Sequence, residues 1–228
     1  MHNNFSKLPL VYISLIHKNK YYYLGAFFML ISLLLLYFNL EKGQALIWIA
    51  EKRTPFFDFI MPHLTRLGGV YTYIFMTIFF FLKREKWHSL FMALTGIIAL
   101  LFVWALKYFF AHPRPKIYFE YILQLPDKIS TIPNVVLQDS WINSFPSGHS
   151  TSAFAFFTFL AFYSSANVLK FVYLLIAFIV AFTRLYLFQH FLQDIIAGMI
   201  LGIIVASFMY GILLYFKQKP YSLSQKNK

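Results

Sequence analysis

The stretch Thr183-Arg-Leu-Tyr-Leu-Phe-Gln-His-Phe-Leu-Gln-Asp194 places an arginine, a histidine and an aspartate in a chain that is otherwise mostly apolar. Residues four apart share one face of a helix, so His190 and Asp194 are expected to lie within reach of each other. Arg184 and His190 are six apart, and at roughly 100° per residue an unbroken helix would turn them away from each other. The spacing therefore predicts that one membrane helix ends near Arg184, that the chain turns, and that the next helix begins near His190.

The composition predicts an integral membrane protein. Of the 228 residues, 60% are hydrophobic and 12% are charged, whereas soluble domains carry about 25% charged residues. Several apolar runs reach the length of about 17–25 residues that a helix needs to span a bilayer. The chain has no cysteine, which excludes a disulfide and a thiolate metal site. The expected fold is an all-α bundle of six transmembrane helices, forming a single domain over residues 1–228.

Six segments are expected to cross the membrane: residues 22–40, 67–82, 87–106, 147–163, 171–187 and 190–216. The apolar run Ala45–Ala50 is too short to span, and we expect it to lie in the membrane interface. Residues 108–146 contain five prolines and form the longest polar segment. A loop of this length in a compact chain is usually functional or disordered.

The distribution of charge predicts the orientation of the chain. The net charge is +12, but the basic residues lie mostly at the ends of the apolar segments, a pattern typical of membrane topology and not of nucleic acid binding. Six spans place both termini on one side, and that side holds 11 of the 20 Lys and Arg residues and one acidic residue. By the positive-inside rule the termini are expected in the cytoplasm. The segments 41–66, 107–147 and 184–194 are then expected at the outer face.

The stretch Lys107-Tyr-Phe-Phe-Ala-His-Pro-Arg114-Pro115 carries two cations on the predicted outer face. The ordinary interpretation of Lys107 is a lysine that extends from a helix end toward water. Arg114 lies between two prolines, which hold the backbone extended and present the arginine side chain. A guanidinium at this position has the planar geometry that recognises phosphate.

The stretch Ser144-Phe-Pro-Ser-Gly-His-Ser150 has the pattern of an anion site at a helix start. Pro146 can open a helix at its first turn. Ser147 and Gly148 would then offer backbone N–H groups at a helix N-terminus, with His149 beside them. The alternative interpretation is an ordinary helix start with an interfacial histidine.

Taken in order, Lys-x6-Arg-Pro, Pro-Ser-Gly-His and (Ser/Thr)-Arg-x5-His-x3-Asp resemble the signature of the type 2 phosphatidic acid phosphatase family. The relatives in that family include membrane lipid phosphatases, glucose-6-phosphatase and the vanadium haloperoxidases. The resemblance covers Lys107 to Asp194. Two positions depart from the family pattern. Thr183 stands where the family usually has serine, and Phe188 stands where many members have glycine, which bears on substrate fit.

The resemblance implies a role for each residue. His190 resembles the nucleophile that forms a phosphohistidine, and Asp194 would hold its tautomer and stabilise the developing charge. His149 resembles the general acid that protonates the leaving group and then the base that activates water. The residues implied to bind the phosphoryl oxygens are Lys107, Arg114, Ser147, Gly148 and Arg184. The resemblance implies no cofactor.

A metal site built from His112, His149, His190 and Asp194 is the competing interpretation, because zinc is bound by such ligands. Three cations in the same stretches already supply positive charge and would repel a bound metal ion, so we expect no catalytic metal. The alternative interpretation of His190 and Asp194 is a hydrogen-bonded pair with a purely structural role.

The expected substrate is a phosphate or diphosphate of an envelope lipid. Undecaprenyl diphosphate is the first choice, and lipid A phosphate, phosphatidylglycerol phosphate and phosphatidate are alternatives. A lipid phosphotransferase would share the phosphohistidine, whereas a non-enzymatic lipid-binding or transport protein has no need for both histidines and the aspartate. The expected location is a bacterial inner membrane with the site facing outward, and the sequence leaves the oligomeric state open.

Overall fold

The computed structural model describes residues 8–218, which form an all-helical bundle, as predicted. The α-helices within these residues are α1 (Leu8–Lys18), α2 (Lys20–Asn39), α3 (Gln44–Glu51), α4 (Pro55–Leu64), α5 (Val70–Leu82), α6 (Lys86–Phe110), α7 (Pro115–Ile117), α8 (Gly148–Tyr163), α9 (Asn167–Tyr186) and α10 (Leu192–Gln218). A 3₁₀ turn, Thr65–Gly68, joins α4 to α5. Within the described range, β-pairing is limited to one isolated bridge between His112 and Asn143.

Four helices, α2, α6, α9 and α10, are long and apolar enough to cross a membrane. A fifth candidate span consists of α4 with its 3₁₀ turn and α5, which meet at a bend of 53°. The predicted fourth span corresponds to α8, which has 16 residues and is shorter than a typical spanning helix. The chain is therefore a multi-pass membrane protein, and the count of six spans stays a prediction.

Helix α8 lies at the centre of the bundle and packs against α6, α9 and α10. Most of its side chains are buried, whereas α2 and α6 expose large apolar side chains, as lipid-facing helices do. Gly202 allows α10 to approach α8 closely, since a Cβ there would lie 2.5 Å from the Thr151 carbonyl oxygen. This close contact holds the first turn of α8 against α10, on the side of the bundle that carries the predicted site residues.

Several predicted boundaries were wrong by a few residues. Helix α6 continues to Phe110, so Lys107 lies inside its last turn, and the C-cap residue Ala111 has φ 47°. Helix α10 begins at Leu192 and not at His190, so His190 lies in the turn between α9 and α10. The turn ends two residues later than predicted because the N–H groups of Gln189 and His190 both donate to the Arg184 carbonyl oxygen.

The short run 45–50 forms α3, in agreement with its prediction as a non-spanning segment. The long segment 108–146, expected to be a polar loop, contains short helical elements. It contains α7, a π-helical turn over Tyr118–Ile122 and a 3₁₀ turn over Pro126–Lys128. The Arg114 N–H donates to the Ser140 carbonyl oxygen at 2.9 Å, and this bond closes the segment on itself.

The helix ends separate two faces of the bundle. The end of α6, the start of α8, the end of α9 and the start of α10 lie together at one face, as the chain order of antiparallel neighbours requires. The connections 83–85 and 164–166 lie at the other face, where Trp87 stacks on Phe216. Four of the terminal lysines in the charge count, Lys7, Lys219, Lys226 and Lys228, lie outside the described residues.

Candidate active site

His190 and Asp194 form a buried pair in the turn between α9 and α10. His190 Nδ1 lies 3.2 Å from Asp194 Oδ2, and the two side chains are 2% and 0% exposed. The four-residue spacing therefore brings them together as predicted, although His190 is not helical. A carboxylate accepts hydrogen bonds, so the His190 proton sits on Nδ1 and donates to Asp194.

Arg114 reaches the other nitrogen of the His190 ring. Its Nη1 lies 3.3 Å from His190 Nε2 and also donates to the Gln189 carbonyl oxygen at 3.0 Å. Because arginine has no acceptor, Nε2 must present its lone pair toward Arg114. The backbone of Arg114 is extended, with φ −73° and ψ 159°, as its two flanking prolines predict. The arrangement leaves Nε2 unprotonated, the state that a nucleophile requires.

Burial sets the protonation of this ring. Desolvation lowers the pKa of His190 below its ordinary value, and the cations of Arg114 and Arg184 lower it further. The hydrogen bond to Asp194 acts in the opposite direction. Desolvation is the larger effect, so the ring is neutral at neutral pH.

Arg184 and Lys107 complete a cluster of three cations. Arg184 is 6% exposed and donates from Nη1 to Thr65 Oγ1 at 2.8 Å, and Lys107 Nζ donates to the Asn143 carbonyl oxygen. The buried Nε groups of Arg114 and Arg184 have no hydrogen-bond partner within residues 8–218. Buried donors without partners are costly, so this cluster favours an anionic ligand.

The Pro-Ser-Gly-His segment opens α8, as predicted, and its serine caps the helix. The Ser147 hydroxyl accepts hydrogen bonds from the N–H and the hydroxyl of Ser150. The prediction that the Ser147 N–H is offered to an anion was wrong, because it donates to the Asp194 carbonyl oxygen at 3.0 Å. The Gly148 N–H has no acceptor among the described residues, so this amide still fits the predicted anion site.

His149, in the first turn of α8, lies within the electrostatic reach of Arg184, Arg114 and Lys107. It also borders an apolar groove of about 530 Å³ between α5 and α6. The groove walls include Ile74 and Ile78 of α5, with Ile97 and Leu100 of α6. From Ala93 to Val103, the α6 wall is about 15 Å long at 1.5 Å per residue. The groove thus joins the polar cluster to the apolar flank of the bundle.

Comparison with known proteins decides the family. A model of the PAP2 superfamily matches residues 87–218, which is more than half of the chain and includes all three motifs. The chain belongs to the PAP2 superfamily.

Curated relatives of this PAP2 protein are lipid phosphatases by name. Lipid phosphate phosphatase 1 of Arabidopsis thaliana is 27% identical over 198 residues, which is 76% of this chain and 60% of that protein. Probable lipid phosphate phosphatase 4 of the same plant is 38% identical over 91 residues, or 34% of this chain and 29% of that protein. Lipid A 4'-phosphatase of Porphyromonas gingivalis is 27% identical over 162 residues, or 67% of this chain and 66% of that protein. The chain spans less than two thirds of the length of each relative.

Two solved structures share the fold. The crystal structure of Aquifex aeolicus LpxE aligns with a TM-score of 0.63 and 26% identity over 75% of this chain and 96% of that one. A PAP2-type phosphatidylglycerolphosphate phosphatase from Bacillus subtilis aligns with a TM-score of 0.61 and 21% identity over 93% of this chain and 96% of that one. The PAP2 membrane fold predicted from the three motifs is thereby confirmed.

Phe188, the position at which the PAP2 chain departs from the family glycine, has φ +56°. A left-handed conformation costs a residue with a side chain about 1–2 kcal/mol. The ring of Phe188 is buried, 1% exposed, and packs against Phe119 with ring centroids 5.4 Å apart. Burial of an aromatic ring offsets that cost, which accounts for phenylalanine at a position where glycine is the easier choice.

Sequence reasoning missed the roles of three residues of this PAP2 site. Ser144 donates from Oγ to Asp194 Oδ2 at 2.5 Å, Gln189 accepts from Arg114 through its carbonyl oxygen and donates from Nε2 to the Val136 carbonyl oxygen, and Thr65 accepts from Arg184. No spacing rule distinguishes these residues from other loop serines, glutamines and threonines. Only their position relative to Asp194 and the arginines gives them a role.

Of the four residues considered as metal ligands, His190 and Asp194 contact each other, whereas His112 lies against the Phe145 ring, with centroids 5.4 Å apart. Residues 8–218 contain no group of three or more His, Asp and Glu side chains positioned to hold a metal ion. The expectation of metal-independent chemistry stays a prediction.

The buried ring of His190 should make the stability of this PAP2 chain fall at acid pH. Its pKa is lowered on folding, so below the ordinary histidine pKa of about 6.5 the unfolded chain binds a proton that the folded chain does not. The free energy of unfolding should therefore decrease as the pH falls through this range, and His190→Gln should make the decrease less steep. Thermal unfolding in detergent at a series of pH values measures this pH dependence of stability. His17→Gln, on the exposed surface of α1, controls for the loss of a titratable ring, and equal slopes for wild type and His190→Gln would contradict the prediction.

Proposed function

We propose that this PAP2 protein is a membrane lipid phosphatase that hydrolyses a phosphate or diphosphate of an envelope lipid without a metal ion. The observation that carries the proposal is the placement of the His190 ring, with Nδ1 3.2 Å from Asp194 Oδ2 and Nε2 3.3 Å from Arg114 Nη1. A neutral imidazole with a fixed tautomer beside unpartnered cationic donors suits attack on an anionic phosphorus centre.

The reaction has two steps. In the first, His190 Nε2 bonds to phosphorus, the bond from phosphorus to the leaving oxygen breaks, and His149 gives that oxygen a proton. In the second, His149 takes a proton from water, the water oxygen bonds to phosphorus, and the bond from phosphorus to nitrogen breaks to release phosphate. Asp194 stabilises the positive charge that the His190 ring acquires in the first step.

The cations stabilise the charge on the transferring phosphoryl group. Arg114 and Arg184 offer buried Nε groups without partners in the described part of the chain, and Lys107 and the Gly148 N–H lie at the same face. The Ser147 hydroxyl is the remaining donor proposed from the sequence. Phosphoryl transfer depends mainly on positioning and on charge stabilisation, and this set supplies both.

The apolar groove beside His149 supports a lipid as the substrate. A phosphate at the cation cluster and a hydrocarbon chain along α5 and α6 would place both parts of an amphipathic molecule in matching surroundings. Relatives named for lipid phosphates and for lipid A favour the same class. Undecaprenyl diphosphate is the first substrate to test, with lipid A phosphate, phosphatidylglycerol phosphate and phosphatidate beside it.

We also propose that the site faces the outside of a bacterial inner membrane and that the termini are cytoplasmic, on the basis of the charge count. The chain has no native cysteine, so single cysteines report orientation directly. A cysteine at Val136, which is 85% exposed on the site face, should react with a membrane-impermeant thiol reagent in intact cells, and a cysteine at exposed Arg84 should not. The reverse pattern would contradict the orientation.

Phosphate release by the purified protein tests the mechanism. Wild type should release phosphate from at least one lipid of the panel in the presence of EDTA, and His190→Ala should lose at least about 10³-fold in kcat, as enzymes do when a nucleophile is removed. His63→Ala, on the exposed face of α4, is the control. Release abolished by EDTA would contradict the metal-independent step, and release only when a second lipid is added as acceptor would identify a phosphotransferase.

Blocking the groove tests the lipid site separately. Ile97→Trp should raise KM for a long-chain phosphatidate by about tenfold, a loss of about 1.4 kcal/mol, because the indole occupies space that the hydrocarbon chain needs. A short-chain, water-soluble phosphatidate should be hydrolysed as by wild type. Ile204→Trp changes an exposed residue of α10 outside the groove and is the matched control. Equal KM values for both variants would contradict groove binding.

A further inference from the structure

Ser144 lies at the end of the long loop and belongs to none of the three motifs. Its side chain is completely buried, and its N–H donates to the His112 carbonyl oxygen at 3.0 Å. This backbone bond is part of the bridge between His112 and Asn143. The bridge fixes the direction in which the Ser144 side chain extends, so the hydroxyl can donate to one specific acceptor.

The acceptor is the carboxylate of Asp194. Three donors converge on its Oδ2 atom: Ser144 Oγ at 2.5 Å, the Phe191 N–H at 3.0 Å and His190 Nδ1 at 3.2 Å. The other oxygen, Oδ1, is buried and has no partner within residues 8–218. The shortest of the three bonds therefore comes from Ser144 and not from the histidine.

A short hydrogen bond from a hydroxyl to a buried carboxylate has two effects. It prevents rotation of the carboxylate about its terminal bond, which would move Oδ2 away from His190. It also stabilises the ionised form, so the carboxylate has less tendency to take the proton from Nδ1. Both effects keep the His190 proton on Nδ1 and the lone pair on Nε2.

We propose that Ser144 is a positioning residue that fixes the orientation and charge of Asp194, and through it the reactive tautomer of His190. The assignment rests on the proposed phosphohistidine chemistry. The same loop end also holds two of the cations, because Lys107 donates to the Asn143 carbonyl oxygen and the Arg114 N–H donates to Ser140. The loop thus aligns the Asp194–His190 pair with the phosphate-binding side chains.

The charged groups that act on this pair come from four separate elements. Lys42, Lys107 and Arg114 interact electrostatically with Asp194, and Arg184 interacts with His190. Ser144→Ala alters none of these charges. A change in the pH dependence of that variant therefore reports the loss of the hydroxyl itself.

The test compares Ser144→Ala with Ser144→Thr, which keeps a hydroxyl, and with Thr158→Val. Thr158 is a matched control because it also makes a buried 2.5 Å bond, to Tyr22, in the middle of α8.

Ser144→Ala should lower kcat for lipid phosphate release by about 10- to 100-fold, as expected for the loss of a hydrogen bond to a charged group, with little change in KM. The acid limb of its pH profile should move to higher pH, because the pair binds a proton more readily without the serine donor. Ser144→Thr should recover part of kcat, and Thr158→Val should keep both wild-type kcat and the wild-type acid limb.

Two results would overturn the assignment. One is a Ser144→Ala variant with wild-type kcat and an unmoved acid limb. The other is a lowered kcat with an unmoved acid limb and a lowered unfolding temperature like that of Thr158→Val, which would limit Ser144 to a structural role. Should Ser144→Ala not fold, Ser144→Cys takes its place, since a thiol is a weaker donor, and a wild-type acid limb in that variant would overturn the assignment.

A second measurement does not depend on activity. In protein labelled with ¹⁵N-histidine, with His190→Ala identifying the resonances, wild type should show a His190 ring protonated at Nδ1 alone. Ser144→Ala should shift these resonances toward a mixture of tautomers, and unchanged resonances would overturn the assignment. If wild type released no phosphate from any lipid, the proposed hydrolase would fail, and the ¹⁵N spectra would still decide the role of Ser144.

Discussion

The buried carboxylate of Asp194 is the constraint on which the arrangement of the site depends. An ionised carboxylate removed from water costs several kcal/mol unless its oxygen atoms receive hydrogen bonds. Donors come from the turn, through His190 and Phe191, and from the long loop, through Ser144. The Asp194 carbonyl oxygen accepts a further bond from the Ser147 N–H. One aspartate therefore joins the start of α10 to the start of α8, to the loop and to His190.

The buried arginines, in contrast, carry donor groups that lack acceptors. Arg114 and Arg184 are each 6% exposed, and each directs part of its guanidinium toward a polar protein atom, the Gln189 carbonyl oxygen for Arg114 and Thr65 for Arg184. Both Nε groups stay unsatisfied within the described residues. Two buried arginines near a lysine repel one another, which destabilises this part of the fold. Sites that bind or turn over charged substrates commonly carry such a cost.

The sequence predicted the elements whose spacing or composition has a direct geometric meaning. The four-residue spacing brings His190 and Asp194 together, and the backbone of Arg114 between its prolines is extended, as predicted. Helix α8 begins at Gly148, so Pro146 precedes the first turn and does not lie within it as predicted. The predicted positions of the helix ends were less accurate. The turn after α9 depends on two N–H groups that donate to the Arg184 carbonyl oxygen, and no local sequence pattern indicates these bonds. The roles of Ser144, Gln189 and Thr65 could not be found from sequence, because they arise from contacts across 50, 75 and 119 residues.

The buried ring of Phe188 also has a consequence for motion. It packs against Phe119 in the long loop, and Phe119 in turn fills the space beside Gly43, where a Cβ would lie 2.6 Å from the ring. The contacts of the Phe119 ring therefore hold together three segments that are distant in the sequence. Neither the turn nor the loop can open by itself without exposing these rings, so the two belong to a single cooperative unit. Concerted opening of that unit, and not independent fluctuation of a surface loop, is the motion that this packing favours around His190.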